Sequence, residues 1–273
     1  MLIPTFSSKS PIRHAWALAI SAAITGCQAK SPAINPKDGC QIDKLPPATT
    51  ALLLDATDAL SATQVSQWRE AVEEERTRIP VYGRLILLVM SSDSPFEPKV
   101  IVSLCRPPDG TTVSSFTGNP TMTDALWRRQ FEWPIDHAVE RLTRVPTAST
   151  SPILETVTSI TWRPDFNASV PHRRLRIVSD LLEYSPKIFS GYDEHGSWGD
   201  YQRSPLARDL KPNFANVTVR IDLLHRPAFL RKQETAQQFW TRWFDEFGAP
   251  AISFGASSDP AFLRNATSGG SAK

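Results

Sequence analysis

Two carboxylates and a hydroxyl group follow directly on a short apolar run near the start of the chain. Residues 50–54 read Thr-Ala-Leu-Leu-Leu, and Asp55, Thr57 and Asp58 come after them. The run has the length and composition of a buried strand. In open α/β sheets ligands bind at the carboxyl ends of the strands, and hard oxygen ligands of this kind suit Mg²⁺ or Ca²⁺. The alternative is a strand that ends in a polar turn and a helix N-cap.

Two later segments carry oxygen ligands at similar boundaries between elements. Ser151 precedes Pro152 at the predicted start of a helix, and Thr150 beside it is an equal candidate. Asp180 follows directly on the predicted strand at residues 174–179, although a helix cap is an alternative role for it. Glu183 is expected to be a solvated residue of the helix that would follow. The three segments together supply oxygen ligands where a metal site at the edge of a sheet would lie.

Taken together, these segments resemble a von Willebrand factor A domain and its metal-ion-dependent adhesion site. In that family Asp-x-Ser-x-Ser follows the first strand, a Thr that is often followed by Pro lies in a later loop, and an Asp follows the fourth strand. The resemblance extends over the order of elements from about residue 49 to residue 254. It implies a doubly wound, mostly parallel, Rossmann-like α/β sheet with helices on both faces. It also implies a Mg²⁺ ion that leaves a coordination position for a carboxylate of a protein partner.

The resemblance assigns four oxygen ligands to the metal: Asp55, Thr57, Ser151 and Asp180. Thr57 replaces the middle Ser of the motif, since both residues supply a hydroxyl oxygen. The last Ser falls on Ala59, which has no ligand atom. Asp58, one residue earlier, either compensates for this loss or only caps the following turn. Water would complete the coordination, as is usual for Mg²⁺.

Strand and helix patterns alternate along the chain. Apolar runs of strand length occur at residues 50–54, 84–90, 99–104, 174–179, 216–223 and 251–254, the last as an edge strand. Helical patterns occur at residues 62–78, at 123–143 with an interruption at Pro134, from Ser151-Pro152 onward, and at 232–247. Ser61 and Gln64 have the spacing of a capping box, and a long loop is expected over residues 184–212. A single α/β domain with a mostly parallel sheet is the simplest arrangement.

The first residues have the features of a bacterial lipoprotein signal. Lys9, Arg13 and His14 precede a short apolar run at residues 15–24, and Cys27 follows an Ile-Thr-Gly sequence. This ending resembles a lipobox, in which the signal is cleaved before the cysteine and the cysteine is lipidated. The acyl chains would then hold the protein at a bilayer. The alternative is an ordinary signal peptide with an incidental cysteine.

Four parts are expected along the chain: a signal peptide (1–26), a tether (27–48), a von Willebrand A-like domain (49–256) and a disordered tail (257–273). The lipobox predicts a lipid-anchored protein of the bacterial cell envelope. Gln28 after the cysteine resembles a sorting signal for the outer membrane, at its periplasmic face. In that oxidising compartment Cys40 and Cys105 are expected to form a disulfide. Two unpaired buried thiols are the alternative.

These features favour an envelope-anchored protein-binding module over an enzyme. The partner would be an envelope protein of unknown identity, bound through the Mg²⁺ ion, with the membrane reached through the lipid anchor. The net charge of +2 gives no signal for nucleic acid. One alternative is a Mg²⁺-dependent phosphatase with Asp55 as nucleophile, but Thr57 stands where haloacid-dehalogenase-like phosphatases carry a second Asp. The other is a structural lipoprotein with a vestigial metal site.

Overall fold

A mostly parallel sheet of six strands forms the centre of the domain. The computed structural model describes residues 32–90, 93–116, 118–142, 148–186, 188–192 and 196–255. The strands within these ranges are β1 (Ala48–Leu54), β2 (Arg84–Val89), β3 (Lys99–Cys105), β4 (His172–Ser179), β5 (Tyr184–Ser185), β6 (Phe189–Ser190), β7 (Val217–Leu223) and β8 (Ala251–Gly255). The large sheet has the order β3-β2-β1-β4-β7-β8, while β5 and β6 form a separate hairpin. Its neighbouring strands are parallel except for β2 and β3.

Helices cover both faces of this sheet. They are α1 (Ala62–Arg78), α2 (Pro120–Trp127), α3 (Trp133–Leu142), α4 (Ile153–Thr161), α5 (Trp198–Arg203), α6 (Pro205–Asp209) and α7 (Leu230–Glu246). On one face, Trp68 of α1 and Ile135 of α3 belong to the same buried cluster as Leu52 of β1. On the other face, Trp240 of α7 is buried with Leu53 of β1. The predicted doubly wound α/β fold is confirmed.

β1 lies inside the sheet because both of its faces are apolar. Successive side chains of a strand point to opposite faces, so Leu52 and Leu53 join different cores. A strand buried on both faces therefore reads as a continuous apolar run. Asp55 follows as the first polar side chain beyond β1, and its N–H donates to the Val178 carbonyl of β4 at 2.9 Å. The ends of β1 and β4 thus meet at one edge.

The first helix follows the local sequence signals, and the third does not. α1 spans the predicted residues, and Ser61 and Gln64 form the expected capping box. The predicted interruption at Pro134 is wrong, because the helical path runs from α2 through a π-helical turn at Arg128–Glu132 into α3. The wider turn gives the proline ring room where an α-helical turn would clash with it.

The segment at residues 184–212 is more regular than expected. Instead of one long loop, it contains the β5–β6 hairpin and the short helices α5 and α6. Ser197 and Asp200 form a capping box that starts α5. The Tyr201 ring of α5 packs edge-on against Phe189 and Phe239. This segment is therefore folded onto the core.

The N-terminal segment is fastened to the edge of the sheet that lies opposite Asp55. Cys40 and Cys105 form the expected disulfide, with their Cα atoms 4.9 Å apart. The Cys105 N–H donates to the Asp38 carbonyl at 2.7 Å, and Arg84 pairs with the Asp38 carboxylate at 2.9 Å. Because β3 is antiparallel, its end at Cys105 pairs with the start of β2 at Arg84. The chain thus enters the domain at the amino-terminal edge of the parallel strands.

The predicted signal peptide, lipidation site and tail concern residues outside the described ranges. The signal peptide at residues 1–26, Cys27 and the tail at residues 257–273 all fall there. Within the described ranges, no helix combines the length and apolar character that crossing a membrane requires.

Candidate functional site at the carboxyl edge of the sheet

Asp55 is buried at the end of β1, and both of its carboxylate oxygens accept hydrogen bonds. The Thr57 N–H and hydroxyl donate to Oδ1 at 3.1 and 2.7 Å. The Ser179 hydroxyl donates to Oδ2 at 2.6 Å. Only 4% of Asp55 is exposed, so hydroxyl groups surround a carboxylate that solvent barely reaches. The structure therefore brings Asp55 and Thr57 together and adds Ser179 to them.

Asp180 follows β4 at the same edge and is bound by an arginine. The Arg226 Nε donates to Asp180 Oδ2 at 2.9 Å, and the Leu182 N–H donates to Oδ1 at 2.9 Å. The second bond closes an Asx turn. The next element in the described chain is strand β5 and not a helix. The alternative role of Asp180 as a helix cap is therefore wrong.

The same guanidinium group also binds Asp58. Arg226 Nη2 donates to Asp58 Oδ2 at 2.8 Å, and the Tyr192 hydroxyl lies 3.4 Å from that oxygen. Arg226 thus bridges the buried carboxylate of Asp180 and the partly exposed carboxylate of Asp58. At this edge the partner of Asp58 is a guanidinium group.

Gln233 of α7 fixes the backbone around Arg226. Its Oε1 accepts the Arg226 N–H at 2.8 Å. Its Nε2 donates to the carbonyls of Leu224 and Asp180 at 2.9 and 3.0 Å. Gln233 is buried, and one side chain therefore holds the loop that carries Arg226 and the loop that carries Asp180.

A cleft of about 490 Å³ opens beside these residues. Its lining combines polar and aromatic side chains, among them Thr57, Asp58, Thr150, Ser151, Tyr184, Tyr192, Arg226 and Phe229. The Ala148 N–H donates to the Thr57 carbonyl at 2.8 Å, which brings the loop before α4 to the end of β1. In the described part of the chain, the hydroxyls of Ser151 and Thr150 are buried without a hydrogen-bond partner. Ser151 and Thr150, the two alternative metal ligands from this loop, thus line the same cleft as Thr57.

Burial raises the pKa of both carboxyls at this edge. Loss of solvation raises the pKa of Asp55. Loss of solvation and the negative charge of Asp55 raise the pKa of Asp180 to about 7. Burial lowers the pKa of Arg226, but the negative charges of Asp180 and Asp58 outweigh this effect and raise it. The edge carries the carboxyl groups of Asp55, Asp58 and Asp180, and Arg226 pairs with only two of them. The edge therefore favours a proton or a further cation.

The oxygen ligands at this edge are of the chemical type that a hard divalent cation prefers. Carboxylate oxygens of Asp55 and Asp180 are ligands that Mg²⁺ prefers, and hydroxyl oxygens suit it as well. The Ser151 hydroxyl is a buried oxygen that no protein group satisfies among the described residues. No group of three His, Cys, Asp or Glu side chains with metal-binding geometry occurs in the described ranges. Hydroxyls and water would therefore have to complete the coordination.

Reasoning from sequence misses three side chains of this site: Ser179, Arg226 and Gln233. Their partners are distant in the chain, since 168 positions separate Arg226 from Asp58. The signal for Arg226 is its place three residues beyond β7, whereas Asp180 follows β4 directly. A search for charged side chains within three residues of the end of each parallel strand would have found Arg226.

Glu183, which the sequence pattern places on a solvated helix face, is instead buried. It is 1% exposed. Its Oε2 accepts the Leu154 N–H at 2.8 Å, and its Oε1 accepts the Ser185 hydroxyl at 2.7 Å. Burial and the negative charge of Glu155 raise the pKa of Glu183 well above its usual value. The prediction of a solvated residue is wrong because no helix follows β4.

Comparison with known proteins finds similar solved structures. No protein-family model matches the chain, and no curated protein does so either. The chain is similar to the VWA domain of SpRpn10, with 11% identity and a TM-score of 0.43 over 81% of this chain and 93% of that chain. It is also similar to the conserved hypothetical protein BatB from Bacteroides thetaiotaomicron, with 9% identity and a TM-score of 0.38 over 81% and 96%. The fold itself is assigned from the strand order and pairing of the sheet, which has the arrangement implied by the resemblance to von Willebrand A domains.

Proposed function

We propose that this chain is a protein-binding module whose binding surface is the cleft at the carboxyl edge of the sheet. One observation carries this proposal: Arg226 and the unpartnered Ser151 hydroxyl line that cleft together with Tyr184, Tyr192 and Phe229. Arginine and tyrosine are typical anchors of protein interfaces. Tyr184 and Phe229 are 38% and 39% exposed, which leaves their rings available for contact. Because Asp58 and Asp180 already pair with the Arg226 guanidinium group, a carboxylate on the partner would need a further cation at this edge.

The proposal includes a Mg²⁺ ion at the same edge. Its ligands would be Asp55, Thr57, Ser151 and Asp180. The negative charge that Arg226 leaves uncompensated supports a cation there. Because Arg226 Nε donates to Asp180 Oδ2, the ion and the guanidinium group would compete for that oxygen. When bound, Mg²⁺ would supply a coordination position for the carboxylate of a partner.

Calorimetric titration with MgCl₂ tests the metal part of the proposal. We expect saturable binding to the wild type and none to Asp55→Ala or Asp180→Asn. Asp245→Ala, which removes an exposed carboxylate on α7, is the matched control and should bind as the wild type does. Absence of binding to the wild type would remove Mg²⁺ from the proposal and leave the cleft as a metal-free surface.

Site-specific photocrosslinking in cells tests the binding surface itself. A photoreactive residue at Tyr184 should give discrete adducts with an envelope protein. The same residue at Trp162, which is 61% exposed at the other end of α4, should give none. Equal adducts at both positions, or none at Tyr184, would favour a structural lipoprotein with a vestigial site.

The proposal places the module at the cell envelope, anchored through Cys27. The lipobox-like sequence before Cys27 supports this location, and the Cys40–Cys105 disulfide suits an oxidising compartment. Metabolic labelling with a fatty acid should mark the wild type, which should fractionate with the outer membrane. Cys27→Ser should lose the label and the membrane association. A labelled Cys27→Ser protein, or an unlabelled wild type, would contradict the anchoring.

A further inference from the structure

β8 is an edge strand of the large sheet, and its outer side has no partner strand among the described residues. The sheet order ends at β8, which pairs with β7 on its inner side. A strand at the edge of a sheet directs a row of N–H and C=O groups away from its neighbouring strand. The β8 edge therefore offers backbone donors and acceptors that a further strand could bind.

The opposite edge of the sheet, formed by β3, is protected against such pairing. The strand begins with the exposed side chain of Lys99, and its register with β2 shifts between Leu87 and Leu88. The Cys105 N–H at its end already donates to the Asp38 carbonyl at 2.7 Å. Charged side chains and bulges keep edge strands from pairing with other chains. β3 thus shows what a protected edge looks like in this sheet.

β8 itself carries none of these protective features. The strand contains no charged residue and no proline, and its five residues pair with β7 without a shift in register. Ile252 and Phe254 are partly buried against the core, whereas Ala251 and Ser253 are exposed. The strand is therefore regular and neutral, and its side chains reach solvent.

The sequence of β8 is complementary to itself. Two β8 strands related by a twofold axis through Ser253 would form an antiparallel pair that uses all five residues of each strand. Ile252 of each copy would then lie opposite Phe254 of the other, on the face of the sheet that α7 covers. Aromatic and β-branched residues are a favourable cross-strand pair. On the other face Ala251 would lie opposite Gly255, so no large side chain obstructs the approach.

The charged residues of β7 do not oppose this pairing. Arg220 lies beside Ser253 in the register between β7 and β8, and its guanidinium group pairs with Glu74 and Asp222. In such a pair the β7 strands of the two copies would be three strand spacings apart, or about 14 Å. This separation exceeds the Debye length, which is about 8 Å at physiological ionic strength. Repulsion between the two Arg220 residues would therefore be weak.

We propose that β8 is a dimerisation edge, at which two copies of this chain join their sheets through an antiparallel β8–β8 pair. Main-chain hydrogen bonds provide the attraction, as they do wherever a strand is added to a sheet edge. The contacts between Ile252 and Phe254 set the register. Because β8 is short, the interface is small and the dimer dissociates in the micromolar range. This dimer depends neither on the binding surface nor on the lipid anchor proposed above.

The test uses the full chain carrying Cys27→Ser, so that neither acyl chains nor a free thiol can associate the protein. Sedimentation velocity from low to high micromolar concentration should show an equilibrium between monomer and dimer. Ser253→Lys and Ser253→Glu each place like charges opposite one another at the twofold axis, and each should weaken the dimer by about fivefold. Ser66→Lys makes the same change at an exposed serine of α1 and should leave the dimer unchanged.

A mixture of the Ser253→Lys and Ser253→Glu proteins separates pairing from folding. The mixture should recover the dimer, because opposite charges then face each other across the axis, whereas damage to the strand itself would persist. A wild type that stays monomeric at high micromolar concentration, or a mixture no more dimeric than its components, would overturn the proposal. Dimers of a chain that ends at Gly255, without dimers of the full chain, would also overturn it and would identify residues 256–273 as the occupant of the β8 edge.

Discussion

Arg226 is the residue on which the charge balance of the carboxyl edge depends. Its guanidinium group joins Asp180 at 2.9 Å and Asp58 at 2.8 Å. Asp55 lies close enough to Asp180 for its negative charge to raise the pKa of Asp180. Arg226 therefore has two effects, since it stabilises buried negative charge and occupies an oxygen that a metal ion would need.

Arg226→Gln is expected to lower the free energy of unfolding by about 2–3 kcal/mol, because Asp180 keeps its burial and loses its charged partner. Millimolar Mg²⁺ should restore part of this loss, since an ion bound only by the folded state stabilises it. Urea unfolding with Mg²⁺ or with a chelator measures both effects. Arg231→Gln, an exposed change on α7, should show neither. A loss that Mg²⁺ leaves unchanged would mean that this edge uses only the guanidinium group as its cation.

At the scale of elements, a distant glutamate takes the place of a cap for α4. Pro152 at the N-cap position provides no side-chain hydrogen bond. Glu183 accepts the Leu154 N–H instead, which satisfies a backbone donor that the helix cannot. Glu183 and Glu155 share the Ser185 hydroxyl at 2.7 and 3.1 Å. Two buried carboxyl groups this close favour a shared proton, and the pKa of Glu183 is raised by burial and by Glu155.

Stability should therefore fall as the pH rises. Above the ordinary glutamate pKa of 4.5 the folded chain still binds a proton at Glu183 that the unfolded chain has released. The free energy of unfolding decreases over this interval until the folded group titrates. Glu183→Gln keeps an oxygen acceptor and cannot ionise, so we expect a flatter profile and a variant more stable than the wild type at about pH 9.

Urea unfolding between about pH 5 and about pH 9 measures this difference. Glu246→Gln at the exposed end of α7 is the control and should leave the profile unchanged. A Glu183→Gln protein that is less stable than the wild type at every pH would contradict the prediction. It would mean that α4 requires an ionised carboxylate at its N-terminus.

Elements with local signals could be predicted from the sequence, and contacts between distant loops could not. The capping box of α1 depends on Ser61 and Gln64, which lie within one helical turn of each other. β1 depends on its own apolar run. The antiparallel direction of β3 could also have been predicted. Residues 90–98, which connect β2 to β3, are too few for the crossover that a parallel pair of strands needs. Arg226 has partners 46 and 168 positions away. Those bonds exist only once three loops have met at the edge of the sheet.

At the scale of the whole molecule, a second cleft, lined by Arg78 and Arg174, lies at the end of the parallel strands opposite the cleft that contains Arg226. β1 has seven residues, which corresponds to roughly 23 Å between the two edges. The segment fastened by the disulfide enters at one end, and Asp55 and Arg226 lie at the other.

The disulfide between Cys40 and Cys105 should contribute about 4 kcal/mol to the free energy of unfolding, given the chain-entropy model and a separation of 65 residues. Urea unfolding of a Cys40→Ala, Cys105→Ala protein should show this loss. Both it and its parent carry Cys27→Ser to exclude thiol exchange. Photocrosslinking at Tyr184 should persist in the variant, since the disulfide is at the other edge. An unchanged free energy of unfolding would mean that the N-terminal segment is held by its hydrogen bonds alone.

The same disulfide determines how the domain would carry a mechanical load. A pull on the chain ahead of Cys40 acts on the end of β3 through Cys105, and on the Asp38 contacts, before it acts on β1. A partner held at the carboxyl edge would pull in the opposite direction, along the strands. The hydrogen bonds between strands lie across that direction, so they would resist together in shear and would not open one after another. The crosslink thus moves the first point of loading from β1, inside the sheet, to β3 at its edge.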